Sequence, residues 1–393
     1  MPVSRRAFLA TLGAGGAGVL AAPVAAPLIH ARGREAGGRV LHAFQGVEDR
    51  KADRRLAARP GMIRIDSNEN PVGPGARVIE AIRQSAADAN RYPVLSEDEL
   101  KESIAKLQGV KADQVILGCG SGELLRSAVQ AFTGPDRAYV APAPTFESPG
   151  EFAKFIGTPV KGIPVNAQLS ADLGAMAEAA RGAGLVYLCN PNNPTATAHA
   201  KADIVAFIEQ VGRVAPQATV LVDEAYFEYV GLPGYGTVIP LATSNPRVIV
   251  ARTFSKVFGM AGLRIGYAIG QKDTLAKMMS YQLASNISQL SLVAAISALG
   301  DAAHVATEVR RNREVKALTR KFFADLGYAM SAGEANFMMV DIRKDARAFK
   351  LECLKKGVAV GRAFPPLTTH VRLSFGTMAE MRKALEVFRT TLA

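Results

Sequence analysis

The sequence predicts an α/β protein, with a large domain built on a mostly parallel sheet flanked by helices and a second, small α+β domain. Three observations indicate this arrangement. Short, nearly continuous apolar runs alternate with helical patterns, which is typical of parallel strands buried on both faces. The 393 residues exceed the length that one hydrophobic core usually serves. After about residue 290, long helical patterns precede two isolated strand-like runs.

The large domain is predicted from strands that recur with turn residues behind them. Its apolar runs are VILGCG (115–120), RAYVAPAP (137–144), GLVYLCNP (184–191), TVLVDEAY (219–226) and RVIVART (247–253). Amphipathic patterns such as GELLRSAVQAF and KADIVAFIEQVGRVA predict helices between some of them. Ahead of the first run, Ser96 to Glu99 has the capping-box pattern, which predicts a helix that begins there and ends near Leu107.

The small domain is predicted from the remaining patterns. A long helical stretch is followed by the strand-like runs FMMVDIR and HVRLSF and by the helical pattern EMRKALEVFRTTLA. We therefore divide the chain into a signal segment, an N-terminal arm that joins the small domain, the large domain and the small C-terminal domain, at residues 1–35, 36–75, 76–290 and 291–393.

Composition argues against two classes of protein. The net charge is +12, but the chain has no basic run, no basic strand with interleaved aromatic residues and no zinc-finger spacing, so we expect no nucleic-acid partner. A basic surface also suits anionic small molecules. None of the three cysteines forms a CxxC pair, so the sequence predicts no metal site.

The N-terminus reads as an export signal. Ser4-Arg5-Arg6-Ala7-Phe8-Leu9 has the twin-arginine form, and an uncharged, Ala/Gly-rich run extends to Ile29. We expect the protein to fold in the cytoplasm and to reach the periplasm or another extracytoplasmic space through the twin-arginine (Tat) export machinery. The alternative is an uncleaved N-terminal anchor. Because proteins exported by this route often carry a cofactor, we also expect a cofactor site.

Glycine, aromatic and amide residues follow the first three strands. Free N–H groups at a helix start bind phosphate, and GCGSGE supplies such a start with Ser121 and Gly122. Phe146 in PAPTFESP is either a core residue or a ring that stacks on a flat ligand. Asn193 in NPNNPT is either a turn residue or an amide that contacts a ligand oxygen.

The fourth strand ends in a carboxylate. Asp223 follows an apolar run, where a carboxylate is costly unless it is paired with a cationic ligand nitrogen or a metal. Because no histidine lies nearby, we discount the metal. Tyr226 lies three residues further along, where it can face the same pocket.

Lys256 follows the last of these strands, in RTFSKVFGMAGLRIGY. A lysine that loses its hydration there becomes a nucleophilic amine suited to Schiff-base chemistry. Arg264 follows on a glycine-rich bend, where it can clamp a phosphate with Thr253 and Ser255. A lysine, a carboxylate, a ring, an amide and a phosphate cradle on successive strand ends are together what pyridoxal 5'-phosphate requires.

From about residue 60 onward the chain resembles the fold-type I pyridoxal-phosphate aminotransferases, in the branch of the histidinol-phosphate aminotransferases. The motifs that carry the resemblance are IDSNENPVGP, NRYP, GCGSGE, PTF, NPNNPT, VDEAY, TFSKVFGMAGLRIGY and VRLSFGT. The resemblance implies a seven-stranded, mostly parallel sheet and a homodimer with shared active sites. It also implies a transaminase that moves an amino group between an L-amino acid and a 2-oxo acid by a ping-pong mechanism.

The resemblance implies a role for each residue around the cofactor ring. Lys256 would hold the cofactor covalently and would later shuttle a proton. Asp223 would keep the pyridine nitrogen protonated, because an opposite charge favours the protonated form. Asn193 and Tyr226 would hydrogen-bond the ring hydroxyl oxygen, and Phe146 would stack on the ring, where the family often has tyrosine.

Further roles concern the phosphate and the substrate. The residues that would bind the phosphate are Ser121, Gly122, Ser255 and Arg264, with Thr253 as an additional contact. Tyr92 in NRYP would reach the phosphate of the neighbouring subunit. Arg372 in HVRLSF would clamp the substrate α-carboxylate in a bidentate manner. The family often has an arginine shortly after a GxxV run, and in GVAVGRAFPP the nearest candidate is Arg362, one position later.

Two alternatives to transamination remain open. The same cofactor and fold also serve decarboxylases and lyases, in which a different bond of the α-carbon is broken. A non-catalytic cofactor-binding protein is the second alternative, although both Lys256 and Asp223 are present. Because histidine biosynthesis is cytoplasmic, export predicts a physiological substrate other than histidinol phosphate.

Overall fold

A computed structural model of the chain describes residues 59–393. The predicted signal segment and most of the predicted N-terminal arm, residues 1–58, lie outside the described residues.

Twelve strands are formed in the described part of the chain. They are β1 Ile63–Ile65, β2 Val115–Gly118, β3 Ala138–Ala143, β4 Val160–Pro164, β5 Ala183–Cys189, β6 Thr219–Asp223, β7 Val248–Thr253, β8 Gly266–Ile269, β9 Ala329–Met330, β10 Phe337–Asp341, β11 Val358–Val360 and β12 His370–Ser374. The α-helices of the same residues are α1 Ala76–Ser85, α2 Val94–Gln108, α3 Ser121–Phe132, α4 Ser148–Phe155, α5 Leu173–Ala179, α6 Lys201–Val214, α7 Ile239–Ser244, α8 Lys272–Met279, α9 Gln289–Leu299, α10 Ala302–Asp325, α11 Ala346–Lys355 and α12 Met378–Leu392.

The large domain is built on a seven-stranded sheet with the strand order β2-β8-β7-β6-β5-β3-β4. Only β8 runs antiparallel to its neighbours in this sheet. The predicted mostly parallel, seven-stranded sheet is therefore confirmed. Because β2, β3, β5, β6 and β7 share one direction, their carboxyl ends meet at the same edge of the sheet, where open α/β sheets bind ligands.

Alternate residues of the central strands pack into two separate cores. Val220 and Val222 belong to the hydrophobic cluster on one face of the sheet, while Leu221 belongs to the cluster on the other. This alternation is the two-residue period of a strand. It also places the next two carboxylates on opposite faces of the sheet. Asp223 continues the row of Leu221, and Glu224 continues the row of Val222.

The small domain is an α+β arrangement around its own core. Strand β1 pairs in parallel with β11, and β10 lies between β9 and β12 in an antiparallel sheet. Helices α10, α11 and α12 cover these strands with aromatic residues, among them Phe323, Phe349 and Phe388. The N-terminal end of the described chain thus contributes a strand to the C-terminal domain.

Helix α9 lies at the domain boundary that the sequence predicts near residue 290. Its buried residues Leu292, Ala294, Ala295 and Ala298 all belong to the core of the large domain, where α9 packs against α1 and α2. The long helix α10 then carries the chain to the core of the small domain through Val315 and Phe323.

The predicted capping box at Ser96 is wrong. Helix α2 begins at Val94, with Pro93 as its N-cap residue and no side-chain cap. The N–H of Glu97 already donates to the carbonyl of Pro93 at 3.0 Å, so Ser96 lies inside the first turn. The fixed φ of proline suits it to the start of a helix, and here this preference outweighs the Ser/Glu pattern.

Within residues 59–393, no single helix is long and apolar enough to cross a membrane. The consecutive helices α9 and α10 are long and apolar enough only when they are taken together, and the chain bends by 81° between them.

Candidate active site

A glycine-rich cradle lies between the end of β2 and the start of α3. Gly120, with φ at 71°, precedes the helix, and no side chain caps the helix N-terminus. A Cβ atom on Gly120 would collide with the guanidinium of Arg264, whereas a Cβ on Gly122 would meet no atom within 4 Å. The first turn of α3, with Ser121 and Gly122, therefore has no capping side chain and begins beside a cation, as anion binding requires.

Arg264 reaches this cradle from the other side of the site. Its backbone has φ at 55°, and its Nη1 donates to Ser255 Oγ at 3.3 Å and to the carbonyl of Ala261 at 2.9 Å. Thr253 Oγ1 donates to Ser255 Oγ at 3.0 Å and accepts from the Ser255 N–H at 3.1 Å. Ser255 and Arg264 thus line the cradle together, while the Thr253 hydroxyl is used to orient Ser255.

Lys256 lies at the centre of the strand-end edge and is largely buried. Its Nζ donates to the backbone carbonyl of Asn68 at 3.1 Å and lies 5.3 Å from the centre of the Tyr226 ring. Burial, assisted by the nearby cation of Arg372, lowers the pKa of the amine from 10.5 to about 8. A substantial neutral fraction is then present near physiological pH, which is the state that a nucleophilic amine requires.

The adjacent carboxylates Asp223 and Glu224 have different surroundings. Asp223 accepts from the Tyr187 hydroxyl at 2.9 Å and from the Ala225 N–H at 3.1 Å. Burial raises the pKa of Asp223 to about 6, so it is mostly ionised at pH 7. Glu224 points to the opposite face of the sheet, where Arg252 donates to it through Nε at 3.0 Å and Nη2 at 2.7 Å. Of these two carboxylates, only Asp223 lies on the site side and can balance a ligand cation there.

The Tyr226 hydroxyl also belongs to the site. Its oxygen accepts from Asn68 Nδ2 at 3.2 Å, and its ring packs edge-on against Phe337 at 5.0 Å. Burial raises the pKa of Tyr226, so the phenol keeps its proton. Because the oxygen is already an acceptor for Asn68, its own O–H is the group that Tyr226 can offer to a ligand.

Two turns bring Phe146 and Asn193 to this edge of the sheet. Asn192 accepts from the Thr145 hydroxyl at 2.7 Å and donates to the Pro144 carbonyl at 3.1 Å, so the turns after β3 and β5 are joined. The Phe146 side chain is half-buried against the core beneath the sheet. Asn193 is buried, and its Oδ1 accepts from Arg372 Nη1 at 2.8 Å.

Arg372 enters the site from strand β12 of the small domain. Its Nη2 donates to the carbonyl of Asp66 at 2.5 Å, while its buried Nε has no hydrogen-bond partner among the described residues. Burial lowers the pKa of the guanidinium to about 10, so it remains charged. A buried N–H without a partner at the edge of the site suits the binding of a carboxylate.

Arg362 is held by an ion pair that links the two domains. It contacts Glu147, which follows Phe146 in the large domain. The Arg362 guanidinium also lies 4.1 Å from the centre of the Phe364 ring, and the Arg372 guanidinium lies 5.0 Å from the same centre. The predicted contact of Arg362 with a substrate therefore has to compete with a carboxylate of this chain.

Tyr92 is the predicted site residue that lies apart from the others. It is 84% exposed, just ahead of helix α2. Its predicted contact with a phosphate depends on a second subunit.

The sequence reasoning missed the contribution of the segment NENPVG, residues 68–73. Asn68 contacts Lys256 and Tyr226, as described above, and Asn70 Nδ2 donates to the carbonyl of Val257 at 3.0 Å. A Cβ on Gly259 would collide with the backbone of Gly73. The sequence does contain a signal, because two asparagines flank a glutamate within the motif IDSNENPVGP. Nothing in the neighbouring sequence indicates what these asparagines contact.

Comparison with known proteins places the chain among the aminotransferases. The family model for aminotransferase class I and II matches residues 60–388. A histidinol-phosphate aminotransferase of Symbiobacterium thermophilum is 35% identical over 333 residues, which cover 84% of this chain and 91% of that protein. The histidinol-phosphate aminotransferase of Moorella thermoacetica is 34% identical, over an alignment that covers 84% of this chain and 86% of that protein.

A solved structure agrees with the fold. Histidinol-phosphate aminotransferase from Sinorhizobium meliloti, in complex with pyridoxal-5'-phosphate, superposes with a TM-score of 0.80 at 28% identity. The match covers 87% of this chain and 94% of that chain.

Replacing Lys256 with methionine is expected to raise the free energy of unfolding of the cofactor-free protein at pH 7. Below pH 8 the wild-type folded state holds a buried ammonium, because burial lowers its pKa from 10.5 to about 8. At about 1.4 kcal/mol per pKa unit, this shift corresponds to a gain of at most about 3.5 kcal/mol. As pH rises from 8 to 10.5, only the unfolded wild type still binds the proton, so the wild type is stabilised and the two proteins converge.

Urea unfolding of both proteins at pH 7 and pH 10 measures this difference. Lys383→Met, which changes an exposed lysine of α12, is the matched control and should behave like the wild type. A Lys256→Met gain that is absent at pH 7, or equally large at pH 10, contradicts the expectation.

Proposed function

This chain belongs to the class I and II aminotransferase family and is a pyridoxal-phosphate-dependent transaminase, and we propose that it uses Lys256 to move the amino group of an L-amino acid to a 2-oxo acid. The observation that carries this proposal is the largely buried amine of Lys256, with its pKa near 8, beside Asp223 and Arg372.

The residues of the site fit the cofactor. The uncapped start of α3, with Ser121 and Gly122, supplies N–H donors for its phosphate, and Ser255 and Arg264 supply a hydroxyl and a cation. When bound, pyridoxal phosphate supplies an electron-accepting ring that stabilises negative charge at the substrate α-carbon. Asp223, ionised and buried, supports that property by accepting a hydrogen bond from a protonated ring nitrogen.

The other side chains orient the reactants. Tyr226 O–H and the Asn193 amide would donate to the ring hydroxyl oxygen, and Phe146 would cover one face of the ring. Arg372 binds the substrate carboxylate through its free Nε and an Nη group. Lys256 Nζ holds the cofactor and then carries the proton to and from the substrate α-carbon, which its pKa near 8 allows at neutral pH.

A half-reaction tests this assignment. The cofactor-loaded enzyme is mixed with one amino donor at a time, without an acceptor, and the products are measured. We expect one 2-oxo acid per active site, together with loss of the visible absorption band of the lysine-bound cofactor. Lys256→Ala should give neither the band nor the oxo acid.

Other outcomes point to the alternatives. Carbon dioxide with an amine product identifies a decarboxylase. Stable cofactor binding without any product, across a full set of amino donors, identifies a non-catalytic protein. The same donor screen, with histidinol phosphate included, determines whether this chain shares the substrate for which its relatives are named.

The enzyme acts as a homodimer with shared sites in this proposal. Large apolar residues are exposed next to Tyr92, including Leu95, which is 85% exposed, and a second subunit is one way to cover them. Tyr92 then reaches the cofactor phosphate of the partner. A shared site of this kind makes each active centre depend on residues from both subunits.

Mixing inactive variants tests the shared site. At a cofactor concentration too low to load Tyr92→Ala, homodimers of Tyr92→Ala and of Lys256→Ala are both expected to be inactive. Mixed dimers contain one site with both residues intact, so unfolding and refolding the two together should restore about a quarter of wild-type activity. No recovery in dimers shown to be mixed argues against the role of Tyr92.

We also propose export by the twin-arginine route. This rests on the twin arginines, Arg5 and Arg6, together with the uncharged run that follows them to Ile29. Changing both arginines to lysine keeps the charge but removes the twin-arginine pattern. In a host with this export route, the wild type should be recovered outside the cytoplasm and the double variant inside it. Equal distribution of the two proteins contradicts twin-arginine export.

A further inference from the structure

Asn68 is a buried polar residue at the junction of the two domains. Only 1% of it is exposed, and its backbone has φ at 55°. Asparagine tolerates this left-handed conformation better than most residues. The chain therefore turns sharply at Asn68, and its N–H and C=O groups point in directions that a strand would not allow.

Each polar group of Asn68 has a partner. Its N–H donates to Ser374 Oγ at 2.8 Å, and its Oδ1 accepts from the same hydroxyl at 2.9 Å. Its Nδ2 donates to the Tyr226 hydroxyl at 3.2 Å. Its carbonyl accepts from Lys256 Nζ at 3.1 Å and from Asn336 Nδ2 at 3.0 Å. Because all of its own polar groups are bonded, Asn68 is held in one orientation.

These partners come from both domains. Lys256 and Tyr226 follow strands of the large sheet, whereas Ser374 ends β12 of the small domain. Arg372 lies two residues before Ser374 on β12, so the two side chains leave the same face of that strand. One residue thus contacts the amine, the phenol and the strand of the carboxylate-binding arginine.

The direction of the Asn68–Tyr226 bond matters for chemistry. The amide is the donor, so the phenol oxygen is the acceptor and its hydrogen is directed elsewhere. Without Nδ2, the phenol hydroxyl is free to rotate. Its O–H is then no longer fixed toward a ligand in the site.

We propose that Asn68 is a positioning residue that aligns the Lys256 amine and the Tyr226 hydroxyl with the strand that carries Arg372. It couples the group that moves the proton to the group that binds the substrate carboxylate. The proposal rests on the transamination proposed above. A residue in this position acts on the reaction through others, since its own groups are all engaged within the chain.

Two substitutions separate its side chain from its backbone. Asn68→Gly keeps the positive φ and the backbone bonds but removes all side-chain bonds. Asn68→Asp keeps the shape and the acceptor for Ser374 but replaces the donor to Tyr226 with a carboxylate oxygen. Arg343→Gly is the matched control, because Arg343 has the same φ of 55° at an exposed position.

For Asn68→Gly we expect kcat to fall about 10- to 100-fold, the scale of a small misplacement of catalytic groups. The ratio of kcat/KM for an amino acid to that for its amine without the α-carboxylate should also fall, because Arg372 is no longer aligned. For Asn68→Asp the pH midpoint of the visible absorption band should rise by about one unit or more, because the new negative charge favours the protonated lysine-bound form. Arg343→Gly should match the wild type in all three measurements.

Cofactor-free protein provides an independent measurement. If Asn68 contributes only to stability, its variants will have a lower thermal midpoint without cofactor. Their cofactor-loaded, folded fraction will then keep the wild-type kcat and the wild-type pH midpoint of the absorption band. That result overturns the proposal. If neither Asn68 variant folds, Ser374→Ala, which removes only the hydroxyl that holds Asn68 Oδ1, should lower kcat in the same direction. Unchanged kcat, substrate ratio and band midpoint in Ser374→Ala overturns the proposal as well.

The activity of the wild type distinguishes a failure of the positioning role from a failure of the proposed transamination. If the wild type forms no oxo acid from any donor, transamination itself fails. If the wild type is active and the Asn68 variants equal it, only the positioning role fails.

Discussion

The site depends on the burial of one amine. Lys256 Nζ is surrounded by protein and has two cationic neighbours, Arg372 and Arg264, that disfavour its charged form. An isolated buried ammonium costs several kcal/mol even after relaxation, about 3 or more. The chain offsets part of this with the Asn68 carbonyl at 3.1 Å and with the face of the Tyr226 ring at 5.3 Å. The same burial makes the amine reactive, so the cost and the chemistry have one origin.

The pleat of strand β6 sorts two neighbouring carboxylates into different tasks. Glu224 leaves the face opposite to the site and is neutralised by Arg252, which in turn lies 3.9 Å from the centre of the Phe227 ring. The Thr237 hydroxyl and the Val238 N–H also donate to it. Arg252 continues the row of Val248 and Val250 on β7, so it leaves the same face of the sheet as Glu224 and the opposite face from Asp223. Asp223 keeps only neutral donors and the more distant Lys256, so it is available to a ligand cation.

Most of the sheet and many site residues were predictable because their signals are local. Turn residues after apolar runs indicated where each strand ends, and parallel strands bring such ends to one edge. Lys256, Asp223 and Asn193 could be named on that basis. The Asn68 contacts could not, because Ser374 lies 306 positions away in the chain. The pairing of Glu147 with Arg362 could not be predicted either, because it depends on how the two domains meet. The start of α2 could not be predicted because Pro93 competes with Ser96 for that position.

Bonds within the chain hold the Arg372 guanidinium in a fixed orientation. Asn193 Oδ1 and the Asp66 carbonyl hold its two Nη groups and so fix the plane of the guanidinium. Gly361 lets the chain approach the backbone of Arg372 closely, because a Cβ there would meet the Arg372 carbonyl at 2.5 Å. The buried Nε is left without a partner, at a cost of roughly 1–3 kcal/mol. In the proposed function, a substrate carboxylate would bond to this Nε and relieve that cost, so part of its binding energy would come from a bond that the folded chain leaves unmade.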